Sequence, residues 1–451
     1  PYSVRAAALV AAILVSARPP GVAAQASTPA STPASTIGLQ RDARIAEALG
    51  DIAPARLRAM DSVLVSFGTR HTMSDTVSAT RGVGAARRWI HAQLLQFSND
   101  CGDCLRVEYD TGSAVITRHP DRPTWPLVNV VAWLPGRDTS RVVVIGGHFD
   151  SCICTENSMD FTSDAPGADD DGSGTVAVME LARVVGKRFP QGFDATIAFV
   201  LYTGEELGLL GSTTFAERLQ REGKTVTAAF TDDLVGNVVA EDGRVDSTSV
   251  RVFAVDSLAL GGSELARYVW GTGALYQPSF EVIPVLRLDR LGRGGDHAPF
   301  HRQGIPALRF SERLENYKRQ HLGTDALADV DFSYVAKVAR LNLATVVSLA
   351  SAPSRPARTA YGRDRNSGGQ AFTIRWEAVP GAVRYELLVR RTTAATYTRI
   401  VPVGNVTEFL LDEQLDDVWV GVRAVGANGH RSLTTVVGAP GGGRLPSPPR
   451  R

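Results

Sequence analysis

Apolar residues alternate between two rhythms along the chain as far as about residue 352. The first is the unbroken run. Residues 142–145 are all β-branched, and residues 195–202 read ATIAFVLY. Runs without a polar face belong to strands covered on both sides. Residues 105–109, 114–117, 128–134, 227–231, 250–255 and 307–310 read as further strands. The second rhythm is helical. Residues 45–67 and 82–97 carry it, the latter with Ala86, Trp89, Ile90, Leu94 and Leu95 on or near one face. It returns after Gly174 (Val176, Met179, Leu181, Val185), in GLLGSTTFAERL, through 265–270 and over 332–349. Strands alternating with helices predict an α/β domain over residues 37–352. Its sheet is expected to be mixed and mostly parallel, with helices on both faces.

From about Pro356 the texture changes to short alternating strands joined by Pro, Gly and Asn turns. FTIRWEAVPGAVRYELLVRR, TEFLLD and DVWVGVRAVGANGHRS, with Trp376 and Tyr385, resemble a fibronectin type III sandwich over 356–438. Such a module implies binding to a surface or another protein and carries no chemistry. The tail from 439 to 451, rich in Gly and Pro, is expected to be disordered. At the other end, Arg5 precedes the apolar run 6–15, too short to span a bilayer, and Ala24-Gln25-Ala26 offers a cleavage site. The expectation is a signal peptide over 1–26, with a membrane anchor as the alternative. A Ser/Thr/Pro linker is expected over 27–36, and the mature protein is expected to lack a transmembrane span and to be secreted or periplasmic.

Composition narrows the picture by exclusion. The chain has 451 residues and a formal net charge of +1, which gives no reason to expect nucleic acid as a partner. Its four cysteines stand as Cys101-x-x-Cys104 and Cys152-x-Cys154. In an exported protein they are expected to form disulfides, with three connectivities open.

The polar residues then cluster at strand ends. His148 follows two glycines at the end of 142–145, and Asp150 stands two residues on. Glu205-Glu206 follow the apolar run 195–202, Asp232-Asp233 follow 227–231, and His321 lies in the loop after 307–310. In open α/β sheets ligands bind at the carboxyl ends of the strands. Asp169, Asp170 and Asp171 stand together before a helix. Such a run can be a solvated, helix-capping turn, but three adjacent carboxylates beside a buried strand favour a cation. Two histidines and three carboxylates suit zinc, with cobalt or manganese as substitutes.

GGHFDS, PGADDDGSG, LYTGEELGLLGS, DDLVG and HLGTD resemble, in order, the motifs of the co-catalytic dizinc exopeptidases (clan MH, peptidase family 28). The likeness spans roughly residues 40–352. It implies two Zn2+ ions per chain, with His148 and Asp233 on one, Glu206 and His321 on the other, and Asp170 bridging them. It also implies Glu205 as general base, Asp150 as the partner that orients His148, and a cis peptide bond between Asp170 and Asp171. Asp171 reads as a helix cap, and Asp169 and Asp232 as solvated neighbours. The activity implied is that of an aminopeptidase acting on peptides or proteins. A carboxypeptidase or dipeptidase is the nearest alternative, with Arg293 or Arg309 available for a substrate carboxylate. A glutaminyl cyclase and an inactive binding protein are further alternatives. Family members often carry a tyrosine beside the last histidine, but here Gln320 precedes His321 and Tyr317 is three residues further back. The oxyanion donor is thus left open. His297 and His301 sit four apart in DHAPFH, with Pro299 between them, and read as a structural loop.

Overall fold

The computed structural model describes residues 37–155, 158–257, 261–364, 370–438 and 443–444. The expected signal peptide, the 27–36 linker and most of the tail lie outside the described residues. In chain order the first part comprises α1 (Ala43–Leu49), α2 (Pro54–Ser66), α3 (Gly82–Asp100), β1 (Arg106–Val115), β2 (Thr124–Leu134) and β3 (Asp138–His148). There follow the antiparallel pair β4 (Ile153–Thr155) and β5 (Ser158–Asp160), then α4 (Gly174–Arg188), β6 (Ala195–Tyr202), α5 (Leu210–Arg221) and β7 (Thr225–Asp232). The part closes with β8 (Ser249–Ala254), α6 (Gly262–Tyr276), β9 (Glu281–Val285), α7 (His297–Arg302), β10 (Ala307–Glu312) and α8 (Phe332–Ala350).

Eight strands form one mixed sheet in the order β1-β2-β6-β3-β7-β10-β8-β9. Its centre, β6-β3-β7-β10, is parallel throughout, while β2 and β8 run against it. Side-chain alternation explains the unbroken apolar runs. Val143 and Ile145 of β3 enter the core under α4 and α8, whereas Val142 and Val144 enter the core with Phe215 of α5 and Phe300 of α7. Helices therefore cover both faces, as the pattern predicts.

Four local expectations change. The helix expected over 45–67 is two helices, because the chain turns at Gly50 and restarts with Pro54 in the first turn of α2. The segments 105–109 and 114–117 are one strand, since Asp110 and Gly112 keep their pairing with Asn129 and Leu127. DHAPFH contains the short helix α7, where Pro299 stands early enough that its missing N–H costs no helical bond. A further strand, β9, lies where the pattern predicts none and pairs in parallel with β8.

The C-terminal strands are β11 (Arg358–Arg363), β12 (Phe372–Trp376), β13 (Ala382–Arg391), β14 (Arg399–Gly404), β15 (Glu408–Leu411), β16 (Val418–Gly426), β17 (Thr435–Val436) and β18 (Gly443–Arg444). They form two four-stranded sheets, β15-β12-β11-β18 and β14-β13-β16-β17, around a core that includes Trp376, Tyr385 and Val422. Gly443 and Arg444, within the tail expected to be disordered, pair with Arg358 and Thr359, because β11 has an open edge there. Tyr268 on α6 donates to the Arg431 carbonyl at 3.2 Å, and Asn428 donates to that of Ser351 at 2.8 Å, joining the two parts. The cysteines form the two local bridges, Cys101–Cys104 and Cys152–Cys154. No helix among the described residues is long and apolar enough to cross a membrane.

Candidate metal centre

The four central parallel strands end at one edge of the sheet and deliver the polar residues there. His148 is the last residue of β3, Glu205-Glu206 follow β6, Asp233 follows β7, and His321 lies in the loop after β10. The Asp170–Asp171 bond is cis, and Asp170 sits in the tight turn before α4. Its two carboxylate oxygens face different histidines: Oδ1 lies 3.3 Å from His148 Nε2, and Oδ2 lies 3.3 Å from His321 Nε2. Around the first histidine, Asp233 Oδ1 stands 3.8 Å from His148 Nε2. Around the second, Glu206 Oε2 stands 3.2 Å from His321 Nε2. Donor atoms of His148, Glu205 and Asp233 lie within 4.8 Å of one another, as do those of Asp170, Glu206 and His321.

The residues around this cluster fix its geometry. His148 Nδ1 is 3.1 Å from the Asp150 carbonyl oxygen and 3.5 Å from the Asp150 carboxylate. The same carboxylate accepts from the main-chain N–H groups of Glu205 and Glu206, each at 3.3 Å, and from the Thr72 hydroxyl at 2.9 Å. Asp150 thus ties both strand-end loops to the histidine. Asp171 caps α4 as expected: Oδ1 accepts from the Gly174 N–H at 2.9 Å, while Oδ2 accepts from that of His148. Strand alternation sends Asp232 to the opposite side, with Phe230, where the Asn342 amide of α8 donates to its carboxylate at 2.6 Å. It is buried and not the solvated neighbour expected. Asp169 is likewise partly enclosed, accepting from the Gly236 N–H at 2.8 Å. Leu209, Leu234 and His321 all adopt left-handed backbone, with φ of 60°, 60° and 57°. Such residues cost roughly 1–2 kcal/mol each and persist mainly where function fixes the backbone.

Three supporting residues escape a sequence reading. Asp325 accepts from the N–H groups of Asp169 and Asp170, both at 2.9 Å, and its only signal was its place at the end of HLGTD. Arg70 is fully buried and donates to the main-chain carbonyls of Phe149, Pro166 and Gly167. Thr72 orients Asp150, as above. Neither Arg70 nor Thr72 stands in a motif. His297, by contrast, is held away from the cluster by a 2.6 Å bond from Nε2 to the Leu288 carbonyl. Gln320 donates to Glu315 and accepts from Arg293, and Tyr317 is exposed.

Electrostatics show what the cluster demands. Burial pushes the Glu205 carboxyl well above its ordinary range, Asp233 and Glu206 adding to it against the pull of His148. Burial likewise raises Glu206 to about 8, although His321 opposes it. Glu206 raises His321 to about 9. Burial acts to raise Asp170 too, but bonds to His148 and His321 outweigh it and hold that carboxyl well below the usual range. Carboxylates this close and this buried need compensating positive charge, which protons or divalent cations can supply. Glu206 Oε1 is buried and has no hydrogen-bond partner among the described residues. The donor set of nitrogen and oxygen fits zinc.

The family model described as peptidase family M28 matches residues 129–346. A probable zinc metalloprotease from Pyricularia oryzae is 35% identical over 447 residues, covering 90% of this chain and 87% of that protein. Another from Leptosphaeria maculans is 36% identical over 429 residues, covering 88% and 98% respectively. Among solved structures, the LapA aminopeptidase of Legionella pneumophila superposes with a TM-score of 0.53 at 22% identity. It covers 69% of this chain and 76% of its own.

Proposed function

Because the chain belongs to peptidase family M28, and is thereby a zinc metallopeptidase, we propose that it is a dizinc aminopeptidase removing N-terminal residues from peptides. The observation that carries the two-ion reading is Asp170, which presents one oxygen to the His148 group and the other to the His321 group. His148 and Asp233 would hold one zinc, Glu206 and His321 the other, and Asp170 both.

When bound, zinc supplies Lewis acidity, polarising the scissile carbonyl and lowering the pKa of water toward about 7. Glu205 stands beside His148 and Asp233, and its raised proton affinity suits its carboxylate to take a proton from the attacking water. It then returns that proton to the leaving amine. Asp150 keeps His148 and the Glu205-Glu206 backbone in register during both transfers. The zinc-loaded centre would accept a free, neutral α-amine as a further nitrogen donor, which would confine cleavage to the amino end. The likeness in fold to an aminopeptidase supports this reading. Two bridged cysteine pairs support export to an oxidising compartment, and the C-terminal sheets support a fibronectin type III-like module that binds a surface or another protein.

The test is hydrolysis of leucine p-nitroanilide after chelation, with and without added zinc, against the N-acetylated substrate. Zinc should restore activity and acetylation should abolish it. Equal cleavage of the acetylated substrate would overturn the aminopeptidase assignment, and zinc-independent turnover would overturn the metal's role.

A further inference from the structure

The cleft over Asp170, Glu206 and His321, about 230 Å³ in volume, has a cationic wall. Arg118 reaches it from the turn between β1 and β2, and Arg290 and Arg293 from the loop ahead of α7. Two other arginine charges nearby are already matched. Arg290 pairs with Asp289 at 3.0 Å and also with Glu315. Arg309 is fully buried and pairs with Asp233 at 2.8 Å and Asp289 at 3.1 Å, so it cannot receive a substrate as the sequence allowed.

Arg118 and Arg293 differ. Among the described residues neither has a carboxylate partner. Arg118 Nη1 donates to the Glu206 carbonyl at 2.9 Å, and Arg293 Nη2 donates to the Gln320 side-chain oxygen at 3.4 Å. A guanidinium has five donors in a planar fork that matches a carboxylate. Exposed arginines are common on any surface and need no ligand. These two are set apart by neutral tethers that hold them beside the segments carrying Glu206 and His321. Charge balance gives the sign of the ligand. In the proposed centre two divalent cations would offset Asp170, Glu205, Glu206 and Asp233, which leaves Arg118 and Arg293 uncompensated over the cleft.

We infer that Arg118 and Arg293 form a carboxylate-binding subsite, so that the preferred substrates carry a carboxylate close to the scissile bond. That group is either an acidic side chain on the N-terminal residue or the α-carboxylate of a dipeptide. The inference rests on the metallopeptidase reading of the same site.

Two substrate pairs separate the sources: glutamyl against leucyl p-nitroanilide, and Leu-Gly against its C-terminal amide. The zinc-loaded full chain, Arg118→Gln and Arg293→Gln are compared in kcat/KM, zinc content and calorimetric binding of glutarate. The wild type should prefer the charged member of one pair by at least about tenfold, the scale of a charge-assisted bond. In both variants, at unchanged zinc content, that ratio should collapse toward one and glutarate should bind at least about tenfold more weakly. Turnover without a charged preference, or ratios and glutarate affinity unmoved in both variants, would overturn the subsite alone. A protein inert to all four substrates that still binds glutarate through these arginines would keep the subsite and overturn the peptidase reading. Inertness together with no glutarate binding would overturn both.

Discussion

Arg70 offers the sharpest test of how the metal centre is held. Its guanidinium donates at 2.7 Å to the Phe149 carbonyl, between His148 and Asp150, at 2.8 Å to that of Gly167, and to that of Pro166. One side chain thus joins the loop after β3 to the turn that presents Asp170. Arg70→Met keeps the apolar stem but strands the Phe149 and Pro166 carbonyls, while that of Gly167 keeps its 3.0 Å bond from the Gly172 N–H. At about 1–1.5 kcal/mol for each of the two, toward the low end of the range for a buried acceptor left unpaired, the loss is roughly 2–3 kcal/mol. Unfolding entropy near 2.1 cal/mol/K per residue, over the roughly 400 described residues, gives ~0.8 kcal/mol/K. Tm should therefore fall by ~2.5–4 °C in differential scanning calorimetry. Because the lost bonds anchor the turn before Asp170, zinc should also be retained less tightly during dialysis against a weak chelator. A variant that melts within about 1 °C of wild type and holds zinc equally well would refute the reasoning.

Three further outcomes follow from the same geometry. Glu205→Gln should keep its zinc, read by atomic absorption, while losing at least about a hundredfold in kcat, and near-normal turnover would remove Glu205 from its role as base. Without metal, the Glu206–His321 pair is raised and holds at least one proton at pH 7, so zinc uptake should release protons and its apparent affinity should rise with pH. Titration calorimetry in buffers of different ionisation enthalpy reads that release, and proton-neutral binding would contradict it. Ending the chain near Pro356 should leave small-peptide hydrolysis intact, because the centre lies wholly before that point. It should lower Tm, since the Tyr268–Arg431 and Ser351–Asn428 bonds are lost. Loss of activity in a folded, zinc-loaded truncation would show that the sandwich takes part in the chemistry.

Much of the sheet was legible because burial on both faces leaves no polar position in a strand, as in 195–202, which β6 matches residue for residue. The cluster was legible because its residues sit within a few positions of strand ends, inside short motifs. What stayed hidden depends on contacts between distant segments. Arg70 reaches Gly167 across 97 residues, and nothing beside Arg70 marks that contact in the chain. Asp232 and Asp233 look alike as neighbours, and only strand parity, set by the packing of Phe230 under α8, separates them. Pro284 within β9 and Pro299 within α7 masked short elements that tolerate proline at an edge or in a first turn.

The central claim is a two-zinc centre completed by His321, and metal content of three purified proteins tests it most directly. Wild type and His297→Ala should each hold two zincs per chain, because the His297 ring is turned to the Leu288 carbonyl and away from the cluster. His321→Ala should hold one, retained by the His148–Asp233 side of Asp170. Two zincs in His321→Ala with one in His297→Ala, or a single zinc in the wild type, would contradict the account.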